Sequence, residues 1–338
     1  MASDALSLSM IVPVYNNPGD LRECLSTLAG QFTPDMEIIV VDDASTDDTA
    51  SVASGLGARV IRLEKNSGPA AARNAGARQA RGDILFFVDA DVIVAPRTVE
   101  RILKIFAARP DVAAVFGSYD AEPRAPGVVS RYRNLLHHYV HQHGQADAST
   151  FWAGCGAIRR DTFRAVGGFD DERFPRPSIE DIELGQRLRR AGHRILLDKT
   201  IQGTHLKRWS LGSLIRTDIT RRALPWSRLI LESKAVPDTL NLVWRERVSA
   251  ALVAAAIATL PFAVVWPRLF VLPVAALAVL LVWNRELYLF FFQRGGMWFA
   301  LACIPLHLLY YVYSGLSYLY VWLVHRFGSQ SSARPGHA

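Results

Sequence analysis

Asp89 and Asp91 interrupt an otherwise apolar run, ILFFVDADVIV (Ile84–Val94). Two chemistries fit that spacing. Short polar side chains close turns at strand ends by accepting local backbone bonds. Two hard oxygen donors this close can also hold a divalent cation. A calcium loop is the poorer match, because the continuation VIVAP brings no further oxygen ligands. Asp42-Asp43 carry the same ambiguity, since they precede Ser45 and Thr46, where helix capping is ordinary chemistry. In Ser178-Ile-Glu-Asp181 the spacing is that of a capping box. His137, His138, His141 and His143 contain one i,i+4 pair without an accompanying carboxylate pattern. They read as cleft or surface polarity rather than a zinc site.

Those residues need elements to hold them. LSMIVPV (Leu8–Val14), Glu37–Val41, Ala58–Leu63 and ILFFV read as strands, and helical patterns at Asp20–Leu28, Asp47–Gly55, Ala70–Ala80 and Pro96–Ala108 alternate with them. Such alternation predicts a mostly parallel sheet covered on both faces. In open sheets of this kind ligands bind beyond the carboxyl ends of the strands. The polar groups fall there: Tyr15-Asn16 after the first run, Asp42-Asp43 after the second, Asp89 and Asp91 after a later one.

The last third has another character. Val248–Trp266 and Leu269–Trp283 are apolar and uncharged, and Met297–Val324 is a longer aromatic-rich span. The first and third are long enough to cross about 30 Å of hydrocarbon, whereas the second is short. Of the formal net charge of +7, residues 1–205 carry 24 Lys/Arg against 26 Asp/Glu, residues 206–247 carry 9 against 4, and residues 248–338 carry 5 against 1. The basic excess thus flanks the apolar runs, as contact with anionic headgroups requires, and no basic run on the remainder points to nucleic acid. Ser210–Val243 places Leu211, Leu214, Ile215 and Ile219 at helical spacing among Arg216, Arg221, Arg222 and Arg228. That profile suits helices in the headgroup plane or helices packed on a domain. Three scattered cysteines give no disulfide framework. The start lacks the basic region of a signal peptide.

In order along the chain stand PVYN (Pro13–Asn16), VVDDASTDDT (Val40–Thr49), NSGPAAARNAG (Asn66–Gly76), FVDADV (Phe87–Val92), GGFD (Gly167–Asp170), SIEDIELGQRLRRAG (Ser178–Gly192) and GTHLKRW (Gly203–Trp209). Over about residues 8–210 this ordered set resembles the inverting family-2 glycosyltransferases with a GT-A fold, and the last third resembles those members with C-terminal membrane helices. The resemblance implies an α/β, Rossmann-like, mostly parallel sheet followed by an α-helical transmembrane region. It implies a GT-A catalytic domain over 1–209, amphipathic interface helices over 210–246, a transmembrane region of two or three helices over 247–325 and a disordered tail over 326–338.

The resemblance also implies roles. Asp89-Ala90-Asp91 matches the DxD motif, so Asp91 would bind Mg²⁺ or Mn²⁺ and Asp89 would face the ribose or a metal-bound water. His205 would complete the metal's coordination. Asp43 would hydrogen-bond the donor's base, Tyr15 would stack on it, Pro13 would shape that turn, and Arg73 would reach base or diphosphate. Asp181 would be the general base, a role compatible with a place at a helix N-terminus. Gly154, Cys155, Gly156 and Glu180 would lie on the acceptor side. Arg222 and Trp226 sit where processive relatives carry Q-x-x-R-W, but the Gln is missing and the spacing differs, which argues against chain polymerisation.

The expected function is transfer of a sugar from a nucleotide-diphosphate sugar to a lipid or lipid-linked hydroxyl. The enzyme would be integral to the inner (plasma) membrane with its catalytic domain cytoplasmic, and no nucleic acid would take part. A polyprenyl phosphate acceptor is the near variant, and a membrane scaffold without catalysis is the reading from another class. A dehydrogenase ranks last, because no G-x-G-x-x-G follows the first strand.

Overall fold

A computed structural model of the chain describes residues 6–33, 36–233 and 243–328. Its backbone groups into two units, residues 1–126 with 133–208, and residues 127–132 with 209–338.

The first unit is built on nine strands: β1 (Leu8–Val14), β2 (Met36–Asp42), β3 (Arg59–Arg62), β4 (Ile84–Val88), β5 (Val92–Val94), β6 (Val112–Tyr119), β7 (Asp147–Ala148), β8 (Cys155–Arg159) and β9 (Arg194–His205). They lie in the order β3-β2-β1-β4-β8-β6-β9-β5, with β7 paired to β9. From β3 to β4 every pairing is parallel, as the strand–helix alternation predicts. The other half is mixed: β8 runs antiparallel between β4 and β6, and β5 antiparallel to the end of β9.

β1 and β4 are buried along their whole length, which is why both read as unbroken apolar runs. Helix α1 (Pro18–Ala29) lays Leu21, Cys24, Leu25 and Leu28 against the Met10 and Val12 side of β1. Asn17 caps this helix by accepting from Asp20 N, and Pro18 supplies the preset φ of the first turn. Each fully buried leucine contributes roughly 2 kcal/mol. Helix α2 (Thr49–Gly55) leads to β3, and α3 (Gly68–Gln79) to β4. The small residues of α3 have a packing cause: a Cβ at Gly76 would stand 2.6 Å from Ile11 Cγ2 of β1. Helices α4 (Thr98–Ala108), α5 (Val128–His143), α6 (Arg160–Ala165) and α7 (Glu180–Arg190) complete the connections.

The second unit is helical. After α8 (Leu211–Thr217) a π-helical turn, Asp218–Ala223, leads into α9 (Leu224–Ser233). Then come α10 (Trp244–Val265), a 3₁₀ turn at Pro267–Phe270, α11 (Val271–Trp283) and α12 (Arg285–Gly328). Among the described residues two helices, Trp244–Val265 and Arg285–Phe327, are long and apolar enough to cross a membrane, and Pro267–Trp283 is shorter. Helix α12 is not one continuous rod, because Gly296 (φ 78°) breaks it just before the aromatic-rich run. Polar side chains join the helices where they meet: Asn284 Nδ2 donates to Ser249 Oγ (3.1 Å), and Tyr311 Oη donates to Glu246 Oε2 (2.8 Å). The outward faces are apolar, with Leu260, Phe262, Val264, Trp266 and Val274 exposed. Part of the proposed interface segment, residues 234–242, and the tail from residue 329 lie outside the described residues.

Candidate active site

β4 ends at Val88, and the chain then turns through Asp89-Ala90-Asp91 into β5. Ala90 points into the core, whereas the flanking carboxylates keep access to solvent, Asp89 with 32% and Asp91 with 21% of its side chain exposed. β5 pairs antiparallel with the end of β9, so that Val92 lies opposite His205 and Leu206 N donates to Asp91 O (2.8 Å). That register sets His205 Nε2 3.5 Å from Asp91 Oδ2. Burial raises the Asp91 pKa, but the neighbouring His205 and Lys207 outweigh it and hold the carboxyl below its ordinary value. An ionised carboxylate therefore stands 3.5 Å from an imidazole nitrogen, close to the spacing of two ligands on one cation. Ligands about 2.1 Å from a hard cation stand roughly 3 Å apart in octahedral geometry. The donor set, one carboxylate and one imidazole with room for further oxygens, fits Mg²⁺ or Mn²⁺ sharing its shell with water and phosphate. Among the described residues no third His, Cys, Asp or Glu joins the pair.

Arg73, expected to reach base or diphosphate, is engaged with protein carboxylates instead. It is neither on the surface of α3 nor open to a ligand, with 6% of its side chain exposed. Its Nη2 donates to Asp89 Oδ1 (2.6 Å) and its Nη1 to Glu180 Oε1 (3.1 Å), while Phe169 lies 5.5 Å from its Cζ. Burial works against the cation, but the charges of Asp89, Glu180 and Asp181 prevail and hold it protonated. One guanidinium thus joins the end of β4 to the start of α7. The neighbouring Asn74 does the same for the GGFD segment, donating to Phe169 O (2.8 Å) and accepting from Phe169 N (3.0 Å).

At the start of α7 the capping box does not close: Ile179 is the N-cap, with no side-chain cap, and Glu180 turns back to the residue before that N-cap. Ser178 N donates to Glu180 Oε2 (2.8 Å), and the residue is buried under Arg73 instead of lining an open acceptor side. Asp181 is turned the other way. Its Oδ2 accepts from Ala153 N (3.2 Å) and its Oδ1 from Ile182 N (2.8 Å). It keeps partial solvent access while lying deep among protein atoms, as at the floor of a recess. Burial, reinforced by Glu180, pushes its pKa up to about 7 against the pull of Arg73 and the two backbone N–H groups. A carboxylate poised near neutrality is suited to take up a proton.

Asp43 spans the N-terminus of α3, accepting from Ser67 N (2.7 Å) and Gly68 N (2.8 Å). Burial raises its pKa, offset in part by those two bonds. Gly68 has φ +87°, and a Cβ there would stand 2.5 Å from Pro175 O, so only glycine serves. Pro13 is buried in β1, and Tyr15, 47% exposed, stands just past its end. Cβ atoms at Gly154 and Gly156 would touch Trp152 and Phe151, and Cys155 is a buried strand residue opposite Val88. Arg222 and Trp226 belong to the second unit, where Arg222 pairs with Asp218 (2.7 Å), itself bonded to Tyr313.

Tyr119 escaped the sequence reading. It ends β6, and burial, together with the charges of Asp91, Asp89 and Asp181, pushes its hydroxyl pKa well up. Its ring lies flat on His205 (centroids 4.5 Å, 11°) and meets His137 and Trp152. The signal that found the other carboxylates was present here too, since VAAVFGSYD is an apolar run ending in polar residues. In the histidine cluster the i,i+4 pair stays together, with the His137 and His141 ring centroids 3.9 Å apart, while ring nitrogens meet separate backbone oxygens: His138 to Tyr119 O, His141 to Gly117 O and His143 to Tyr139 O.

Residues 9–167 match the model of the family described as Glycosyl transferase family 2. The chain is 33% identical over 141 residues to an uncharacterized glycosyltransferase of Haemophilus influenzae, covering 38% of this chain and 48% of that one. It is 32% identical over 221 residues to validoxylamine A glucosyltransferase of Streptomyces hygroscopicus subsp. jinggangensis, covering 55% and 52%. The chain spans about half the length of these curated relatives. Among solved structures, the mannosyltransferase PcManGT of Pyrobaculum calidifontis in complex with GDP-Man and Mn²⁺ superposes with a TM-score of 0.57 at 19% identity, over 94% of this chain and 88% of that one, a likeness of fold. With its motifs in order on this sheet, residues 9–167 carry a Glycosyl transferase family 2 domain, on a GT-A fold followed by apolar C-terminal helices.

Proposed function

We propose that the protein transfers a sugar, with inversion, from a nucleotide-diphosphate sugar to the hydroxyl of a lipid or lipid-linked acceptor, working from the cytoplasmic face of the inner membrane. The observation that carries this reading is that Asp91, paired with His205 at ligand-to-ligand spacing, and a proton-accepting Asp181 both act electrostatically on the one residue Tyr119. The family supports a nucleotide-sugar donor, and the related fold of PcManGT, in complex with GDP-Man and Mn²⁺, supports a divalent cation. The exposed apolar faces of α10, α11 and α12 support burial in a bilayer, since contiguous apolar surface of this extent is costly in water.

In the reaction Asp181 takes the proton of the acceptor hydroxyl as the oxygen attacks the anomeric carbon and the nucleoside diphosphate departs. One displacement inverts the centre, and no covalent nucleophile is needed. Asp91 and His205 would hold Mg²⁺ or Mn²⁺, which when bound offsets the charge developing on the departing diphosphate. Arg73 keeps Asp89 and Glu180 fixed while Asp181 stays free to titrate. Tyr15 and Asp43, beyond the ends of β1 and β2, would meet the donor's base.

The test is a donor panel: purified protein in lipid nanodiscs, each nucleotide sugar in turn, with Mn²⁺, Mg²⁺ or EDTA. Metal-dependent label in the lipid fraction, lost in Asp91→Asn, supports the reading. Absence of metal-dependent donor turnover or binding across the panel overturns it in favour of a scaffold.

A further inference from the structure

We infer that Tyr119 is a positioning residue that sets the plane of the His205 imidazole toward Asp91. The inference rests on the reading of Asp91 and His205 as a cation site and adds what holds that site in shape.

A histidine that ligates a metal usually has its second ring nitrogen tied to a carboxylate or carbonyl, which fixes the ring. Among the described residues nothing hydrogen-bonds His205 Nδ1; the ring's polar neighbour is Asp91 at Nε2. Something else must fix its plane. Tyr119 lies parallel to it, 11° between planes and 4.5 Å between centroids. The tyrosine is itself braced, edge-on to Trp152 (4.8 Å, 85°) and against His137 (4.3 Å), and its carbonyl accepts a bond from His138 Nδ1 (2.8 Å).

The sheet explains why the two rings meet. Tyr119 lies opposite Gly203 on β9, and His205 is two residues further on, on the same face of that strand. Diagonal neighbours of this kind are within reach of an aromatic side chain. Gly203 carries no side chain to stand between them, and can carry none, because a Cβ there would lie 2.7 Å from Val92 Cγ1. Val92 is in turn the partner of His205 across β5, so one short stretch of sheet fixes glycine, tyrosine and histidine together.

Stacking needs an aromatic plane and no hydroxyl. The test compares the full-length wild type in nanodiscs with Tyr119→Phe, Tyr119→Leu and His205→Ala, titrated with Mn²⁺ alone. Electron spin-echo spectroscopy reads ¹⁴N coupling from an imidazole bound to the ion, and continuous-wave EPR reads free Mn²⁺. The wild type and Tyr119→Phe should share one affinity and one nitrogen coupling. Tyr119→Leu should bind roughly 10-fold more weakly or worse, with the coupling diminished, while its circular dichroism stays that of the wild type. Leu equal to wild type, or Phe as damaged as Leu, overturns the role assigned to the ring. If His205→Ala itself keeps the wild-type affinity and coupling, the cation site as read here fails, which is a separate outcome.

Discussion

Replacing Asp181 by Asn keeps the shape of the side chain and removes its ability to accept a proton. Two effects follow from the same geometry. A general base contributes typically 10²–10⁴-fold, so the transfer rate at saturating substrates should fall by about that factor. In the wild type the rate should drop as pH falls below about 7, where Asp181 takes up its proton, and this acid limb should vanish from the residual activity of the variant. Stability should move the other way. Burial lifts the folded-state pKa from 3.8 to about 7, so the folded protein favours the neutral acid. Its contribution is most favourable below the unfolded value and is lost as pH rises through the folded one, by on the order of 4 kcal/mol. Asp181→Asn removes that penalty, so it should melt about 8–16 °C above the wild type at about pH 8 and level with it near pH 4, at roughly 2–4 °C per kcal/mol for a domain of this size. Transfer measured by labelled product across pH, with melting followed by tryptophan fluorescence, tests both. A variant within threefold of wild-type turnover, while Asp91→Asn is dead, would refute the base and favour a phosphate acceptor, already ionised with a second pKa of about 6.

Arg73→Met should leave Asp89 and Glu180 uncompensated, a loss of about 3–5 kcal/mol read as a lower melting temperature, and Glu180→Gln added to it should restore part of that loss. Because Arg73 also lowers the pKa of Asp181, the acid limb of any surviving activity should shift to higher pH. Gly68→Ala, which sets a Cβ against Pro175 O at φ +87°, should lower the melting temperature at all pH values and weaken donor binding through the Asp43 contact with Gly68 N.

The parallel half of the sheet was legible because buried strands announce themselves as apolar runs, and the strand-end rule located Asp43, Asp89 and Asp91 without any partner being known. What escaped was set by pairing between distant segments. The residues of GTHLKRW say nothing of its return beside VDADV, so that only the family resemblance paired His205 with Asp91, and the antiparallel β5–β9 register is what brings them together. The antiparallel entry of β8 likewise has no sequence signature, and it is this strand that seats Gly154 and Gly156 against Trp152 and Phe151. In SIED the capping pattern was visible, but the division of labour between Glu180 and Asp181 depends on a buried arginine from α3, more than a hundred residues earlier. Arg73 in turn reads as a surface residue in a helix of small residues until the facing carboxylates are in place. Tyr119 was missed for want of applying to a later strand the rule already used on three.

A structure with Mn²⁺ and the preferred nucleoside diphosphate tests the arrangement most directly. The expected result is one ion on Asp91 and His205, bridged by the diphosphate, with Asp181 facing the same recess from the other side. An ion bound elsewhere, or a diphosphate in a cleft that Asp181 does not enter, would contradict it.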